Sequence, residues 1–331
     1  MRIPRACISL VLIAFAAGVG RPARAQGALL LQDADSFAEA VSPLGHTSVY
    51  FARICAASLT QLRRCRPGEL GVVIARHRGV AGFDWLAIPL VPFLYSVDEI
   101  SEVPSRVDRA SVQALRLRYH DAHLSALGDV PEGGQFRRGW NQLVGASFER
   151  RIYAFRFETT PQQDDALIAH LNAEPNRSRF SFLARNCADF SNQILDLYFP
   201  HAFHRHVLSD AGIVTPRQVA YELVRYARKH PEIHLSVAEL PLVPGFHKRS
   251  RVGISAAMSM IATGYVVPIA IFSPYAAGAI VADSLLWGRY PLHLGQAQVL
   301  KPDELTAFAG SSDPARFAGE ADAHSQIASS R

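Results

Sequence analysis

The chain has 331 residues, 49% hydrophobic and 19% charged, a composition that allows a buried core and excludes a disordered or fibrous polymer. Its 34 Lys and Arg against 29 Asp and Glu give a net charge of +5, but Arg2, Arg5, Arg21 and Arg24 all lie in the first 25 residues. Without them 30 cations face 29 anions, a net +1, and the electrostatic case for a nucleic-acid partner disappears.

Residues 1–25 carry two arginines, then an apolar run from Cys7 to Gly20, then Ala23-Arg24-Ala25 before Gln26. That order of charge, apolar core and small residues predicts a secretory signal peptide, hence an exported, periplasmic protein. Of four cysteines, Cys55, Cys65 and Cys187 remain after Cys7 is set aside. Cys55 and Cys65 flank a polar turn ten residues long, within reach of a disulfide in an oxidising compartment, which leaves Cys187 unpaired.

Along the chain, GHTSVYF (Gly45 to Phe51) reads as a strand, with GVVIARH (Gly71 to His77) as its antiparallel partner across the Cys55 and Cys65 turn. Residues 83 to 97 are apolar, but Pro89 and Pro92 predict an irregular wall rather than a strand or helix. Residues 103 to 127 read as a helix or helix pair, RIYAFRF (Arg151 to Phe157) as a half-buried strand, and Thr160 to Ala173 as a helix opened by Thr160-Pro161. A short strand (Arg179 to Leu183) precedes Asn186 to Phe199, where Phe190, Ile194, Leu197 and Tyr198 recur at helical spacing behind an Asn186 cap, with Asp189 three residues on. Thr215-Pro216 opens another helix to about Lys229. Residues 231–250 read as a Pro-rich linker, 251–300 as an apolar helical hairpin, and 301–331 as a disordered tail.

A thiol at a helix start faces unpaired N–H groups and the positive end of the dipole, which favour the thiolate, so Cys187 is a candidate nucleophile. It needs a base. His46 fits, and strand alternation puts His46, Ser48 and Tyr50 on one face, against which the Cys187 helix is expected to pack. The competing reading of His46 is an ordinary half-exposed strand histidine.

GHTSVYF followed 141 positions after His46 by LARNCADFSNQIL resembles the circularly permuted papain-like branch of the NlpC/P60 superfamily, in which a strand histidine precedes an Asn-Cys helix. The run from Arg150 to Leu195 is similar to the Lnb N-terminal periplasmic domain family. The resemblance covers roughly residues 40 to 210. It implies an α+β, permuted papain-like fold over residues 26–230, an antiparallel sheet packed on the helix that bears the nucleophile. It implies Cys187 as nucleophile, His46 as base and Asn186 shaping the helix start. A third, orienting residue on the strand after the histidine is implied, which His77 fits best and Asp84 second. A turn centred near residues 62 to 64 would nevertheless set His77 nearer Arg53 than His46.

Thiolate attack on an acyl carbonyl would give a thioester on Cys187, with His46 moving protons and the Cys187 N–H in the oxyanion hole. No cofactor or metal is called for. For lipoprotein N-acyltransferase-type members, the resemblance implies an acyl lipid donor and a lipoprotein acceptor; for other NlpC/P60 members, it implies cleavage of cell-wall peptides. A catalytically silent binding module on the same fold is the third class.

No charged side chain falls between Val252 and Ala282, and Val252 to Phe272 would extend about 31 Å as a helix. Pro268, Ser273-Pro274 and Lys248, Arg249 and Arg251 on the outer side argue against a span and for a hairpin that packs on the domain or dips into one leaflet of a membrane surface. The histidines of HAFHRH (His201, His204, His206) and HDAH (His120, His123) lack a recognised metal spacing.

Overall fold

The computed structural model describes residues 26–33, 44–128 except 79, 138–205 except 179, 182 and 183, 213–246, and, beyond that, 261, 264, 266–286, 290, 292, 294–300 and 302–309. Residues 1–25, His206 and 247–260 therefore lie outside the described residues.

Nine strands are described: β1 (Gly27–Gln32), β2 (His46–Phe51), β3 (Ile54–Ser58), β4 (Gln61–Arg64), β5 (Val72–Ala75), β6 (Leu86–Pro89), β7 (Ile152–Phe157), β8 (Ser236–Glu239) and β9 (Gln298–Val299). Seven of them form one sheet in the order β6-β5-β2-β1-β7-β8-β9. Every pairing is antiparallel except β8 with β9. With the helices the class is α+β, the class that the resemblance implied.

Alternation along the strands divides the core in two. Leu29, Leu31, Val49, Phe51, Val72, Ile74, Phe155 and Phe157 face one layer, with Leu167, Ala188, Phe190, Ile194 and Leu223 from helices α3 (Pro161–Ala173), α4 (Cys187–Tyr198) and α5 (Pro216–Ala227). Ala28, Leu30, Tyr50, Val73, Ile88 and Ala154 face the other, with residues of α1 (Leu90–Tyr95), α2 (Arg109–Tyr119) and the segment from Trp140 to Phe148. Both faces of the central strands are thus covered, and β7 is almost wholly buried rather than half-buried. Helices α3, α4 and α5 each begin with a capping box, set by Thr160 with Gln163, Asn186 with Asp189, and Thr215 with Gln218.

Cys55 and Cys65 are joined as a disulfide, and Cys187 is free. The bridge closes the β3-β4 hairpin, which leaves the main sheet between β2 and β5 and docks on α3, where the Asn172 amide exchanges two 2.9 Å hydrogen bonds with the Leu62 backbone. Behind it Asp164, 1% exposed, takes Arg53 at 2.7 Å and the Tyr198 hydroxyl at 3.1 Å. Gly71 (φ +82°) lets the chain re-enter the sheet, since a Cβ there would stand 2.1 Å from the Phe51 carbonyl oxygen.

Three expectations are corrected. The wall from 83 to 97 is regular: β6 is an edge strand, where Pro89 ends the pairing, and α1 takes Pro92 in its first turn, where an amide hydrogen has no intrahelical partner to lose. The Pro-rich linker carries β8, because the outer edge of β7 is open to another strand and Ala238 fills the core beneath it. The tail begins as structure: α8 (Leu305–Phe308) buries Leu305 and sets Phe308 against Tyr50 at 5.4 Å, while β9, at the end of the stretch read as the apolar hairpin, extends the sheet. Of the apolar hairpin, α6 (Val266–Phe272) and α7 (Pro274–Leu286) are described and pack on each other. Among the described residues no helix is long and apolar enough to cross a membrane.

Phe308→Ala is expected to destabilise the whole domain by about 3 kcal/mol, the cost of emptying a buried aromatic site. Urea unfolding checks it: an unchanged midpoint would mean that α8 contributes nothing to the core.

Candidate active site

The helix start that carries the thiol is held from three directions. The Asn186 side chain accepts hydrogen bonds from the Ala188 and Asp189 N–H groups at 2.8 and 2.9 Å, and its own N–H donates to the Asp189 carboxylate at 3.1 Å. Its amide nitrogen donates to the Val214 carbonyl at 3.0 Å, tying α4 to the segment before α5. Arg76, 2% exposed, lies over the Phe190 ring, reaches the Asn186 carbonyl at 3.4 Å, and is clamped by both oxygens of Asp84 at 2.8 and 2.7 Å. Arg205 pairs with Asp189 on the outer side. Cys187 is therefore the first residue of a helix whose beginning cannot slide.

Helix α4 rests on β2 through Thr47, whose hydroxyl accepts the Ser191 hydroxyl at 3.0 Å one turn after Cys187. This corrects the expected face. The helix packs on the side of Thr47, Val49 and Phe51, while His46, Ser48 and Tyr50 point to the opposite layer. Thiol and imidazole therefore belong to opposite faces of β2, and Thr47 is the residue that links them. The Cys187 sulfur is hydrogen-bonded by the backbone N–H and hydroxyl of Thr47, one peptide unit from His46.

His46 follows Gly45, whose φ of +87° turns the chain into β2, and is 1% exposed. On one side it stands opposite Gln32 of β1. On the other, the β2-β5 register (Val49 with Ile74, Tyr50 with Val73, Phe51 with Val72), continued three places, brings His77 level with it, and the two rings lie 5.4 Å apart. The offset toward Arg53 expected from the turn does not occur, because the β3-β4 excursion absorbs the intervening residues. Asp84, the second candidate for an orienting role, is committed to Arg76 on the α4 side.

Electrostatics put this pair at rest in its neutral form. Burial, then the neighbouring His77 and Arg150, hold His46 well below the usual imidazole range, and burial takes His77 down to about 3. Burial also pushes the Cys187 thiol up, against the lowering pull of Thr47 and the helix-start N–H groups. The expectation that position alone ionises Cys187 is thereby corrected: desolvation outweighs the helix start.

Two further described histidines have partners of their own. His120 meets the Gly128 carbonyl at 3.0 Å and the Trp140 ring at 5.4 Å; His123 meets Asp98 at 3.1 Å. The one group of described residues within metal-ligand range, Cys55, Cys65 and Glu69, has both sulfurs in the disulfide. Thr47, Gln32, Arg76 and Arg150 escaped the sequence reading. Gln32 had a signal, as the one polar side chain ending the apolar run ALLL. The chain matches no family model, no curated protein and no solved structure.

A histidine buried neutral loses stability on acidification, because the unfolded chain takes up a proton below about pH 6.5 that the folded one refuses. For His77 the loss is about 2 kcal/mol between pH 8 and pH 5, present in full above the unfolded value and gone as pH falls. His77→Asn is expected to reduce the acid loss by that amount in urea unfolding at the two pH values. Equal losses in variant and parent would refute the neutral, buried state of His77.

Proposed function

We propose that the protein is an exported, thiol-dependent acyltransferase or hydrolase of permuted papain-like fold that forms a thioester on Cys187 and acts on an acyl lipid or lipoprotein at a membrane surface. The observation that carries the proposal is the meeting of a free, fixed helix-start thiol with the Thr47 N–H, one peptide from a buried imidazole that faces a second histidine. In this reading Cys187 is the nucleophile, His46 the general base and then acid, and His77 the orienting residue.

The thiol proton passes to His46 as the sulfur bonds the acyl carbonyl carbon. The tetrahedral oxyanion takes hydrogen bonds from N–H groups at the start of α4, and its collapse expels the lipid alcohol, protonated by His46. An amine or water then attacks the thioester, gives its proton to His46, and releases the sulfur, which regains that proton.

Two further observations support the setting. The Cys55-Cys65 disulfide fits an oxidising compartment, in line with the signal-peptide reading of residues 1–25. The tip of the α6-α7 hairpin leaves Ile271, Phe272 and Tyr275 74%, 89% and 90% exposed, a contiguous apolar projection with no charged residue in it. Helices of 7 and 13 residues reach about 10 and 20 Å, enough to enter one leaflet but not to cross a hydrocarbon core of about 30 Å. An apolar tip favours lipid over a soluble cell-wall peptide as the substrate.

Incubation with phospholipid vesicles is expected to add an acyl mass to the intact protein, lost on treatment with hydroxylamine, and absent in Cys187→Ser and His46→Ala; turnover should fall by about a thousandfold or more in either variant. Adducts formed from peptidoglycan fragments instead would move the substrate to the cell wall. Phe272→Asp with Tyr275→Asp is expected to abolish flotation with vesicles while leaving the unfolding midpoint unchanged. Flotation at the parental level would remove the hairpin from the membrane contact.

A further inference from the structure

Gln32 is the least explained side chain in the core. It is fully buried, ends β1 after three leucines, and neither its amide nitrogen nor its amide oxygen has a hydrogen-bond partner. An amide left so costs about 1–3 kcal/mol, which a leucine in its place would not incur. It stands directly opposite His46, where facing Cβ atoms of an antiparallel pair lie about 5 Å apart, within reach of each other's polar atoms after a rotamer change. His46 Nε2 and His77 Nδ1 are likewise buried without a partner. Gln32, His46 and His77 thus form a row across β1, β2 and the end of β5, all on one face of the sheet.

From this row we infer that Gln32 is a positioning residue for His46, an acceptor one rotamer change away from the ring N–H whose hold strengthens when the imidazole becomes charged. The inference rests on the acyl-transfer reading above. When the Cys187 proton arrives on one ring nitrogen of His46, the N–H on the other nitrogen donates to the Gln32 carbonyl oxygen. When His46 returns the proton to the leaving group, that bond weakens. No bond in the substrate is touched by Gln32; it stabilises the base most in the step that charges it. The described groups that face His46 are Gln32 from β1, His77 beyond β5 and Arg150 ahead of β7, while the thiol meets the neighbouring residue Thr47 from the α4 side. Arg150 opposes the charge and His77 is itself neutral, so a neutral acceptor on the third side answers a need the other groups leave open.

The test is the rate of Cys187 alkylation by iodoacetamide between pH 5 and 9 in the full chain, with Gln32→Met, Gln32→Glu and His46→Ala. Gln32→Met removes the acceptor at nearly constant volume. It is expected to slow alkylation at pH 7 by about tenfold while holding or raising the unfolding temperature, as befits loss of an unsatisfied amide. Gln32→Glu, which keeps an acceptor, is expected to stay within about threefold of the parent at pH 7 and to shift the pH profile, which a structural role would leave in place. If His46→Ala slows the thiol but both Gln32 variants keep the parental rate and profile, the role of Gln32 is overturned and the Cys187-His46 reading stands. If His46→Ala has no effect and Cys187 reacts no faster than free cysteine, the reading fails and Gln32 falls with it.

Discussion

The contact on which the site depends is the seating of the first turn of α4 on Thr47. A single side chain makes it twice, once to the Ser191 hydroxyl and once, together with its own backbone N–H, to the Cys187 sulfur. Because Thr47 and His46 share a peptide bond, any force that fixes the helix on Thr47 also fixes the sulfur against the backbone from which His46 projects. The Arg76-Asp84 clamp, the Asn186 cap and the Val214 contact all act on the same few ångströms of backbone. Much of the buried charge on the α4 side is spent on holding one helix end.

The two faces of β2 carry different burdens. The Thr47 face meets α4 and holds the Cys187 thiol, whereas the His46 face lies under α1 and the segment from Trp140 to Phe148, far from bulk water. A sheet covered on both sides makes charge expensive on either, which is why the thiol and both imidazoles rest uncharged. A stable thiolate-imidazolium pair would need a solvated mouth to the site. On the acyl-transfer reading, a neutral pair would generate charge only with the substrate in place, when the oxyanion and the imidazolium form together and balance each other.

Local signals carried most of the fold. Thr160-Pro161, Thr215-Pro216 and Asn186 with Asp189 mark three helix starts within one residue, since a capping box is complete in four consecutive positions. The β2-β5 partnership was legible from composition, but its register was not, because the β3-β4 hairpin takes up residues that a simple turn would leave in the ladder. Which face of β2 would receive α4 was also beyond the sequence: Val49 and Phe51 alternate with Ser48 and Tyr50, and with both faces buried neither set is marked as inner. The strand β8 and the helix α8 were missed for a different reason. Each is four residues long, among prolines or small residues, and owes its existence to an edge or a cavity offered by distant parts of the chain.

That last dependence links the ends of the protein to its middle. Phe308 stacks on Tyr50, and the Arg156 guanidinium of β7 lies over the Phe308 ring at 5.2 Å, so the chain beyond the apolar hairpin returns to close the layer over β2 and β7. The hairpin of α6 and α7 is consequently an excursion between two anchored points, β8 and β9, which pair with each other in parallel. Parallel neighbours require a crossover, and here the crossover contains the apolar projection itself. On the lipid reading this geometry is economical: an insertion tethered at both ends to adjacent strands can enter a leaflet while the sheet that carries His46 stays at a fixed distance from the surface.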